Sequence, residues 1–298
     1  MPYFGKFNNF FNLWVYSASK NNKIDFYIIS DSFNKKSVPA FNNIHFIEST
    51  LDEIKCKFSS YFGFDCSLES GYKLCDYRPF YFILYPEIIS KYDYWGFGDM
   101  DLIYGDIMSF LPDNLCEYDA FFQYGHLQLI KNTPEVNNLV FKYAGVEKIK
   151  EVYSTNKPCF FDEREFSRFN LAKKANLRVY DNQDVIGDIY SYSPVLRLVR
   201  NYKTNQAILF EFNNGRMFGH EIIDDKLVSN EYVYLHLQKR KMTNNVKNFS
   251  LFYINGSKFF NKKNKNLLTI VKTQKNKRLL SKIRIFINLR LKPKLNKK

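Results

Sequence analysis

Two aspartates two positions apart, Asp99 and Asp101, have the types and spacing most suited to chemistry. They follow the aromatic stretch 94–98, which predicts a buried strand, and residues at i and i+2 of a strand project from the same face. Ligands of α/β sheets bind at the carboxyl ends of strands, and paired carboxylates suit a hard divalent cation. We therefore expect a Mn²⁺ or Mg²⁺ site with diphosphate oxygens in its shell. A solvated turn is the alternative.

Other charged residues could complete such a site. Arg78 fits a phosphate-facing role because its planar guanidinium bonds two oxygens at once, although a surface ion pair with Asp76 or Asp106 is an alternative. Asp162 and Glu163 are expected to open a helix, where the helix dipole alone favours acids. The same two acids could instead bind an acceptor or remove a proton from it.

Two histidines could each have either a structural role or a role in ligand contact. His236 ends a predicted strand and precedes Lys239, whereas His126 follows Gly125. A lone histidine on an apolar strand is often a structural residue, and one beside glycine is often a turn residue. Both stay candidates for ligand contact.

The elements that must position these residues alternate between strands and helices, which predicts an α/β fold. We expect strands over 24–31, 44–47, 94–98, 118–123, 127–130, 206–212, 216–218 and 232–236, with a turn at 213–215. Helices are predicted to begin near 49–50, 134 and 162, and a helical stretch interrupted or kinked at Pro79 and Pro86 is predicted over 72–92. The sheet should centre on 26–30 and 94–98, in one domain over residues 1–242.

Positive charge is concentrated in the predicted tail, residues 243–298. Residues 241–298 hold 17 of the 44 Lys and Arg and none of the 30 Asp and Glu. Apolar residues recur at near-helical spacing over 279–291, which predicts a basic amphipathic helix. We expect it to bind an anionic inner leaflet, where each basic residue contributes about 1 kcal/mol. A solvated basic end and RNA contact are the alternatives.

Composition favours one large core, with 45% hydrophobic residues. The five cysteines are dispersed and no apolar run approaches the length of a membrane span, so we expect a cytoplasmic protein at the inner face of the membrane. The body, with 27 of the 44 basic and all 30 acidic residues, is near neutral. This argues against a specific nucleic-acid surface.

Several segments in one order resemble a bacterial family of predicted polysaccharide-biosynthesis glycosyltransferases with a GT-A-like, Rossmann-related fold and a DxD motif. The segments are 2–6, 72–79, 94–106, 125–127 with Asn132, 161–163 and 236–242. They cover about four fifths of the chain. The resemblance implies a mixed sheet flanked by helices and a hexosyltransferase-type enzyme. It would transfer a sugar from a nucleotide donor, expected to be UDP-linked, to a surface or capsular polysaccharide or a lipid-linked glycan.

The resemblance also implies roles for individual residues. It assigns the metal to Asp99, Asp101 and His236, and catalysis or acceptor contact to Asp162 and Glu163. Donor contacts are implied for a larger set: Tyr3, Lys73, Asp76, Arg78, His126 and Lys239. Members of that family carry a strand ahead of the segment matching 2–6, whereas here Met1 directly precedes Pro2. Either the start codon is misassigned or the chain lacks this first strand.

Two other functions use the same features. A nucleotidyltransferase would share the carboxylates but would need a nucleoside triphosphate. A nucleic-acid-binding protein acting through the basic tail would need no catalytic site, and its affinity would depend steeply on salt.

Overall fold

Helices and strands of a mixed α/β protein are present in the computed structural model, which describes residues 1–32, 39–191, 193–201, 206–261 and 266–280. The α-helices are α1 Phe11–Ser19, α2 Leu51–Phe62, α3 Leu74–Tyr77, α4 Pro86–Ile89, α5 Pro134–Asn137, α6 Leu139–Tyr153 and α7 Arg168–Ala175, and a further helix covers 267–280. The predicted α/β class is thereby confirmed.

The strands fall into four sheets. They are β1 Phe26–Ser30, β2 Ile44–Glu48, β3 Tyr94–Gly98, β4 Leu102–Tyr104, β5 Ala120–Phe121, β6 Leu127–Lys131, β7 Val179–Tyr180, β8 Ile186–Asp188, β9 Leu209–Asn213, β10 Arg216–Ile223, β11 Lys226–Tyr232, β12 Tyr234–His236, β13 Thr243–Asn245, β14 Leu251–Ile254 and β15 Lys258–Phe260. Two compact units contain them. The first comprises residues 1–7, 22–100 and 111–184, and the second comprises 8–21, 101–110 and 185–298.

The first unit contains two sheets rather than the one predicted. β1 and β2 form a parallel pair, and Pro2 makes a parallel bridge to Ile29 of β1. β3 belongs to a separate sheet in the order β3-β6-β5-β7. The prediction of one sheet centred on 26–30 and 94–98 is therefore wrong, because β3 pairs antiparallel with β6 and not with β1. Both strand positions were nevertheless predicted correctly.

Local sequence explains where α2 begins and ends. The Thr50 side chain accepts a hydrogen bond from the Glu53 amide, and the Glu53 side chain accepts one from the Thr50 amide, which is a capping box. Gly63 ends the helix in the left-handed conformation. Ile54 and Phe58 are buried on its inner face and pack in an aromatic core with Phe80.

The segment 72–92 is a series of short helical turns, so of the two predicted forms the interrupted one is confirmed and the kinked one is wrong. 3₁₀ turns at Gly71–Lys73 and Arg78–Ile83 alternate with α3 and α4. Pro79 and Pro86 each stand at the start of a turn, where the missing amide donor leaves no bond unmade. The prolines therefore start new turns instead of bending a continuous helix.

The second unit is built on a six-stranded sheet in the order β11-β10-β9-β14-β15-β13, and on a three-stranded sheet in the order β4-β12-β8. Asn214 and Gly215 turn the chain between β9 and β10, as predicted for 213–215. Phe210, Phe212 and Phe252 lie in the main core of this unit.

Part of the predicted tail, from residue 243 onward, belongs to the folded second unit. β13, β14 and β15 are strands of the six-stranded sheet, so the predicted boundary at 242 divides a folded unit. The helix over 267–280 packs Val271 in a cluster with Leu209 and Ile222, so that part of the predicted amphipathic tail covers the sheet. Most of the apolar positions predicted over 279–291 lie outside the described residues. No helix in the described ranges is long and apolar enough to cross a membrane.

Candidate functional site

His236 lies at the centre of a cluster of polar side chains in the second unit. It is the last residue of β12, which pairs antiparallel with β4 and parallel with β8, so that His236 faces Asp188 directly across the sheet. The ring is 8% exposed, and its Nδ1 lies 2.9 Å from Asp188 Oδ1. Its Nε2 lies 3.5 Å from Asp101 Oδ1. The predicted neighbours Asp101 and His236 are therefore brought together.

Backbone amides hold Asp101 beside this histidine. Leu237 donates its amide to the Asp101 carbonyl at 3.0 Å, which continues the β4–β12 pairing by one residue. The chain then turns through Gln238 and Lys239, both with left-handed φ of 54° and 56°. This turn brings the Lys239 amide to 2.5 Å from Asp101 Oδ2. One carboxylate oxygen thus faces an amide, and the other faces His236.

The donor set fits a divalent cation. Two ligand atoms each about 2.1 Å from one ion lie roughly 3 to 3.5 Å apart at ordinary coordination angles, which matches the separation of His236 Nε2 and Asp101 Oδ1. One imidazole nitrogen and one carboxylate oxygen are both common ligands of divalent metal ions, and the pair does not select one ion. Asp188 occupies the place of the carboxylate that commonly orients a metal-bound histidine.

Asp188 and Gln238 were not predicted from the sequence. Gln238 donates its Nε2 to Asp188 Oδ1 at 2.7 Å, so Asp188 is held from two sides. Asp188 ends the strand β8, as Asp99 and Asp101 follow β3. Its position at a strand end is the signal that could have identified it.

A second group of predicted residues meets in the first unit, around Arg78. The guanidinium is an ion-pair partner of both Asp99 and Asp162, and donates to the Gly125 carbonyl at 2.8 Å. Its side chain is 12% exposed. Burial acts to lower the pKa of Arg78, but Asp99 and other neighbours raise it above its usual value. The expected surface pair with Asp76 or Asp106 is wrong, since Asp99 and Asp162 are the partners.

Asp162 is a buried carboxyl group with one oxygen unused. It is 5% exposed, and Oδ2 lies 3.2 Å from Arg78 Nη1, whereas Oδ1 is buried with no hydrogen-bond partner among the described residues. Burial raises the pKa of Asp162 to about 7, and the charge of Arg78 only partly opposes this. A carboxyl group of this kind can exchange a proton near neutral pH.

The loops next to Asp162 have unusual backbone conformations. Phe122 and Phe160 adopt left-handed φ of 63° and 56°, which residues other than glycine rarely adopt. A Cβ added at Gly125 would lie 3.4 Å from Arg78 Nη1 and 3.8 Å from Asp162 Oδ2. The Gly125 backbone therefore lies in van der Waals range of the ion pair.

The predicted helix start at Asp162 is wrong. Residues 161–166 form turns, and α7 begins at Arg168 after the N-cap Ser167, whose hydroxyl accepts from the Asn170 amide. Asp162 therefore lies in a buried turn and does not depend on a helix dipole. Glu163 is exposed next to it.

Lys73 and Asp76 are structural and do not face a donor. Lys73 Nζ donates to Asp76 Oδ2 and to the carbonyls of Val152 and Lys157, each at 2.9 Å. Asp76 also accepts the amides of Cys159 and Phe161 at 2.8 Å. Both residues are 1% exposed, so the predicted donor contact is replaced by an anchor for residues 157–161.

The remaining predicted residues have defined local surroundings. Tyr3 donates its hydroxyl to the Lys6 carbonyl at 3.1 Å and stacks on Phe7. The His126 ring stacks on Tyr124, with centroids 5.2 Å apart, and the His126 carbonyl accepts the Asp99 amide at 2.9 Å. The Lys239 side chain is exposed.

One protein family matches most of this chain. It is described as a family of unknown function (DUF6625), and the match covers residues 1–263. No curated protein and no solved structure matches the chain. The matched range includes β1–β15 and every residue of the two clusters around His236 and Arg78. The chain belongs to the DUF6625 family.

Proposed function

We propose that this protein is a metal-dependent glycosyltransferase with a GT-A-like fold, which transfers a sugar from a nucleotide-sugar donor to a glycan or lipid-linked glycan acceptor. The observation that carries the proposal is the pair formed by Asp101 and His236, with Asp188 on the far nitrogen of the ring. A buried, oriented histidine next to a strand-end carboxylate suits a cation that binds diphosphate.

In this proposal Asp101 Oδ1 and His236 Nε2 would hold Mn²⁺ or Mg²⁺, which would supply positive charge for the departing nucleoside diphosphate. The Lys239 amide fixes the orientation of the Asp101 carboxylate. The exposed Lys239 side chain is assigned to the donor diphosphate. The assignment of Asp99 as a further metal ligand comes from its sequence spacing and stays a prediction. In the first unit, Asp99 forms an ion pair with Arg78.

Asp162 is assigned to the acceptor. The carboxylate would take the proton of an acceptor hydroxyl. Arg78 orients Asp162 through Oδ2, and the buried Oδ1 has no hydrogen-bond partner among the described residues. A pKa of about 7 makes Asp162 an effective base at neutral pH.

Thermal unfolding with a panel of nucleotide sugars, with and without Mn²⁺, tests the proposal. A ligand that binds only the folded state raises the melting temperature, so a UDP-sugar together with Mn²⁺ should stabilise the wild type and not Asp101→Asn. Asp225→Asn, which changes an exposed carboxylate in the β10–β11 turn, is the matched control and should respond like the wild type.

Two results would contradict the proposal. One is an equal response of wild type and Asp101→Asn to every nucleotide sugar. The other is stabilisation by nucleoside triphosphates with pyrophosphate release, which would identify a nucleotidyltransferase. Binding of the basic C-terminal residues to the anionic inner face of the membrane, where a lipid-linked acceptor would be found, is part of the same proposal.

A further inference from the structure

A line of hydrogen bonds crosses three strands of the second unit, away from the residues used above. His220 of β10 faces Ser229 of β11 in the antiparallel register. Its Nδ1 lies 2.7 Å from Ser229 Oγ, and its Nε2 lies 3.2 Å from Glu211 Oε2 on β9. The order is hydroxyl, imidazole and carboxylate, with one ring nitrogen for each neighbour.

The surroundings differ along this line. His220 is 5% exposed, and the Glu211 side chain is 12% exposed, so both lie in a region of low dielectric constant. Ser229, in contrast, is exposed on β11, which is the edge strand of the six-stranded sheet. The hydroxyl is therefore accessible from solvent while its base is shielded.

Glu211 is held as a carboxylate. Burial acts to raise its pKa, but hydrogen bonds and the charge of His220, with further bonds from Tyr253 and Asn213, lower the pKa below its usual value. An ionised carboxylate on one ring nitrogen stabilises an imidazolium when the other nitrogen takes a proton. The tautomer that accepts from Ser229 at Nδ1 and donates to Glu211 from Nε2 is the one that activates a hydroxyl.

We propose that Ser229, His220 and Glu211 form a nucleophilic site that hydrolyses carboxylic esters presented at the protein surface. Ser229 Oγ attacks the ester carbonyl, and His220 takes the Oγ proton and passes it to the departing alcohol. An acyl group is then bonded to Ser229. Water attacks this acyl ester, His220 takes a proton from the water, and the proton returns to Oγ as the carboxylic acid leaves. The net reaction is ester plus water to acid plus alcohol.

The edge strand suits this chemistry. Alternate backbone amides of an edge strand point away from their only neighbour and offer N–H donors for the negative oxygen of a tetrahedral intermediate. An ester approaching Ser229 along β11 would meet these donors without entering a deep cavity. The substrate class is therefore a small acyl ester on a larger, solvent-exposed molecule.

Labelling of the full chain with a fluorophosphonate, followed by peptide mass spectrometry, tests the site. We expect Ser229 to be labelled at least tenfold faster than Ser257, an exposed serine of the same unit whose hydroxyl faces Asn255. Hydrolysis of p-nitrophenyl acetate should fall at least tenfold in Ser229→Ala and stay unchanged in Ser257→Ala.

Variants of the two buried partners separate catalysis from folding. His220→Gln and Glu211→Gln should each reduce Ser229 labelling at least tenfold, and melting curves identify which variant is folded. If only Glu211→Gln folds, the rate of Ser229 labelling in that variant tests the proposal. Equal labelling of Ser229 and Ser257, unchanged hydrolysis by Ser229→Ala, or normal labelling in a folded partner variant would each overturn the proposal. None of these readouts requires a metal or a nucleotide sugar.

Discussion

The tautomer of His236 decides whether its Nε2 can bind a cation. Asp188 accepts a hydrogen bond from Nδ1 at 2.9 Å, which places the ring proton on Nδ1 and a lone pair on Nε2. Gln238 holds the same Asp188 oxygen at 2.7 Å. The orientation of the histidine is thus determined by Asp188 and Gln238.

Asp188→Asn should weaken Mn²⁺ binding by about 10- to 100-fold. The asparagine amide can donate to Nδ1, which would move the ring proton to Nε2 and remove the metal-binding lone pair. Electron paramagnetic resonance of free Mn²⁺ during a titration measures the affinity, with Asp225→Asn as the control for loss of one negative charge. An affinity within threefold of the wild type would show that Asp188 does not orient the ligand.

Asp162 should make the protein less stable as the pH rises. Its pKa is raised by burial from 3.8 to about 7, so the folded state favours the uncharged form. The stabilisation that the uncharged Asp162 provides is fully present below about pH 4 and is lost as the pH rises through about 7. The total decrease in the free energy of unfolding is about 4 kcal/mol. Asp162→Asn stays neutral, so its stability relative to the wild type should increase between pH 4 and 7 and then level off.

Urea unfolding of both proteins at several pH values measures that difference. Glu163→Gln, a change in the exposed neighbour, should show no comparable dependence on pH. A constant difference between Asp162→Asn and the wild type from pH 4 to 8 would mean that Asp162 is ionised like an ordinary surface carboxylate.

Among the elements of the first unit, the buried pair of Lys73 and Asp76 connects α3 to the segment 157–161. The pair is not exposed, and its bonds fix the backbone that leads into Asp162. Lys73→Met should destabilise the protein by about 3–5 kcal/mol, because it leaves the Asp76 charge buried without its cation.

Lys148→Met is the matched control for that change. Lys148 and Glu151 form an ion pair with the same i, i+3 spacing and the same 2.9 Å distance, but both side chains are exposed. The control should change the free energy of unfolding by less than about 1 kcal/mol. Equal effects of the two substitutions in urea unfolding would rule out an anchoring role for Lys73.

Sequence patterns predicted the elements better than their pairing. The apolar stretch 94–98, the helix start near 49–50 and the turn at 213–215 are local signals, and all three elements form as predicted. Which strands pair depends on contacts between distant residues, and a strand's own sequence does not specify its neighbour. For this reason the sequence predicts one sheet centred on 26–30 and 94–98, although β3 pairs with β6 in a sheet that does not contain β1.

The site residues show the same limit. The family resemblance, and not residue type alone, predicts that Asp101 and His236 belong together, and the two side chains do lie close together. Lys73 and Asp76 have the same charged chemistry as ligand-binding residues, and only their burial reveals a structural role. Asp188 was missed because its partner lies 48 positions away, across a sheet whose order was unknown.

Across the whole molecule, each unit is assembled from separate stretches of chain. Residues 8–21 and 101–110 belong to the same unit as the C-terminal third, so the second unit cannot form until most of the chain is present. The predicted boundary at 242 failed for a related reason. Lysine and asparagine dominate the composition after 242, yet Phe252 and Phe259 are fully buried there.

Two truncations separate the folding role of the C-terminal region from its proposed membrane role. Ending the chain at 261 removes the helix over 267–280, whose Val271 is fully buried against Leu209 and Tyr253. This should lower the melting temperature by at least about 5 °C, because several apolar side chains lose their cover. Ending the chain at 280 keeps that helix and should change the melting temperature by less than about 2 °C.

Both truncations should lose co-sedimentation with anionic vesicles, because residues 281–298 carry seven of the basic residues of the tail and several of its apolar positions. Vesicles of phosphatidylcholine alone are the control and should bind neither the full chain nor the truncations. Full binding of the chain ending at 280 to anionic vesicles would place the membrane contact elsewhere. The alternative is that the full chain binds RNA in a salt-sensitive way and that the chain ending at 280 loses RNA binding but keeps vesicle binding. That result would favour nucleic acid as the partner of residues 281–298.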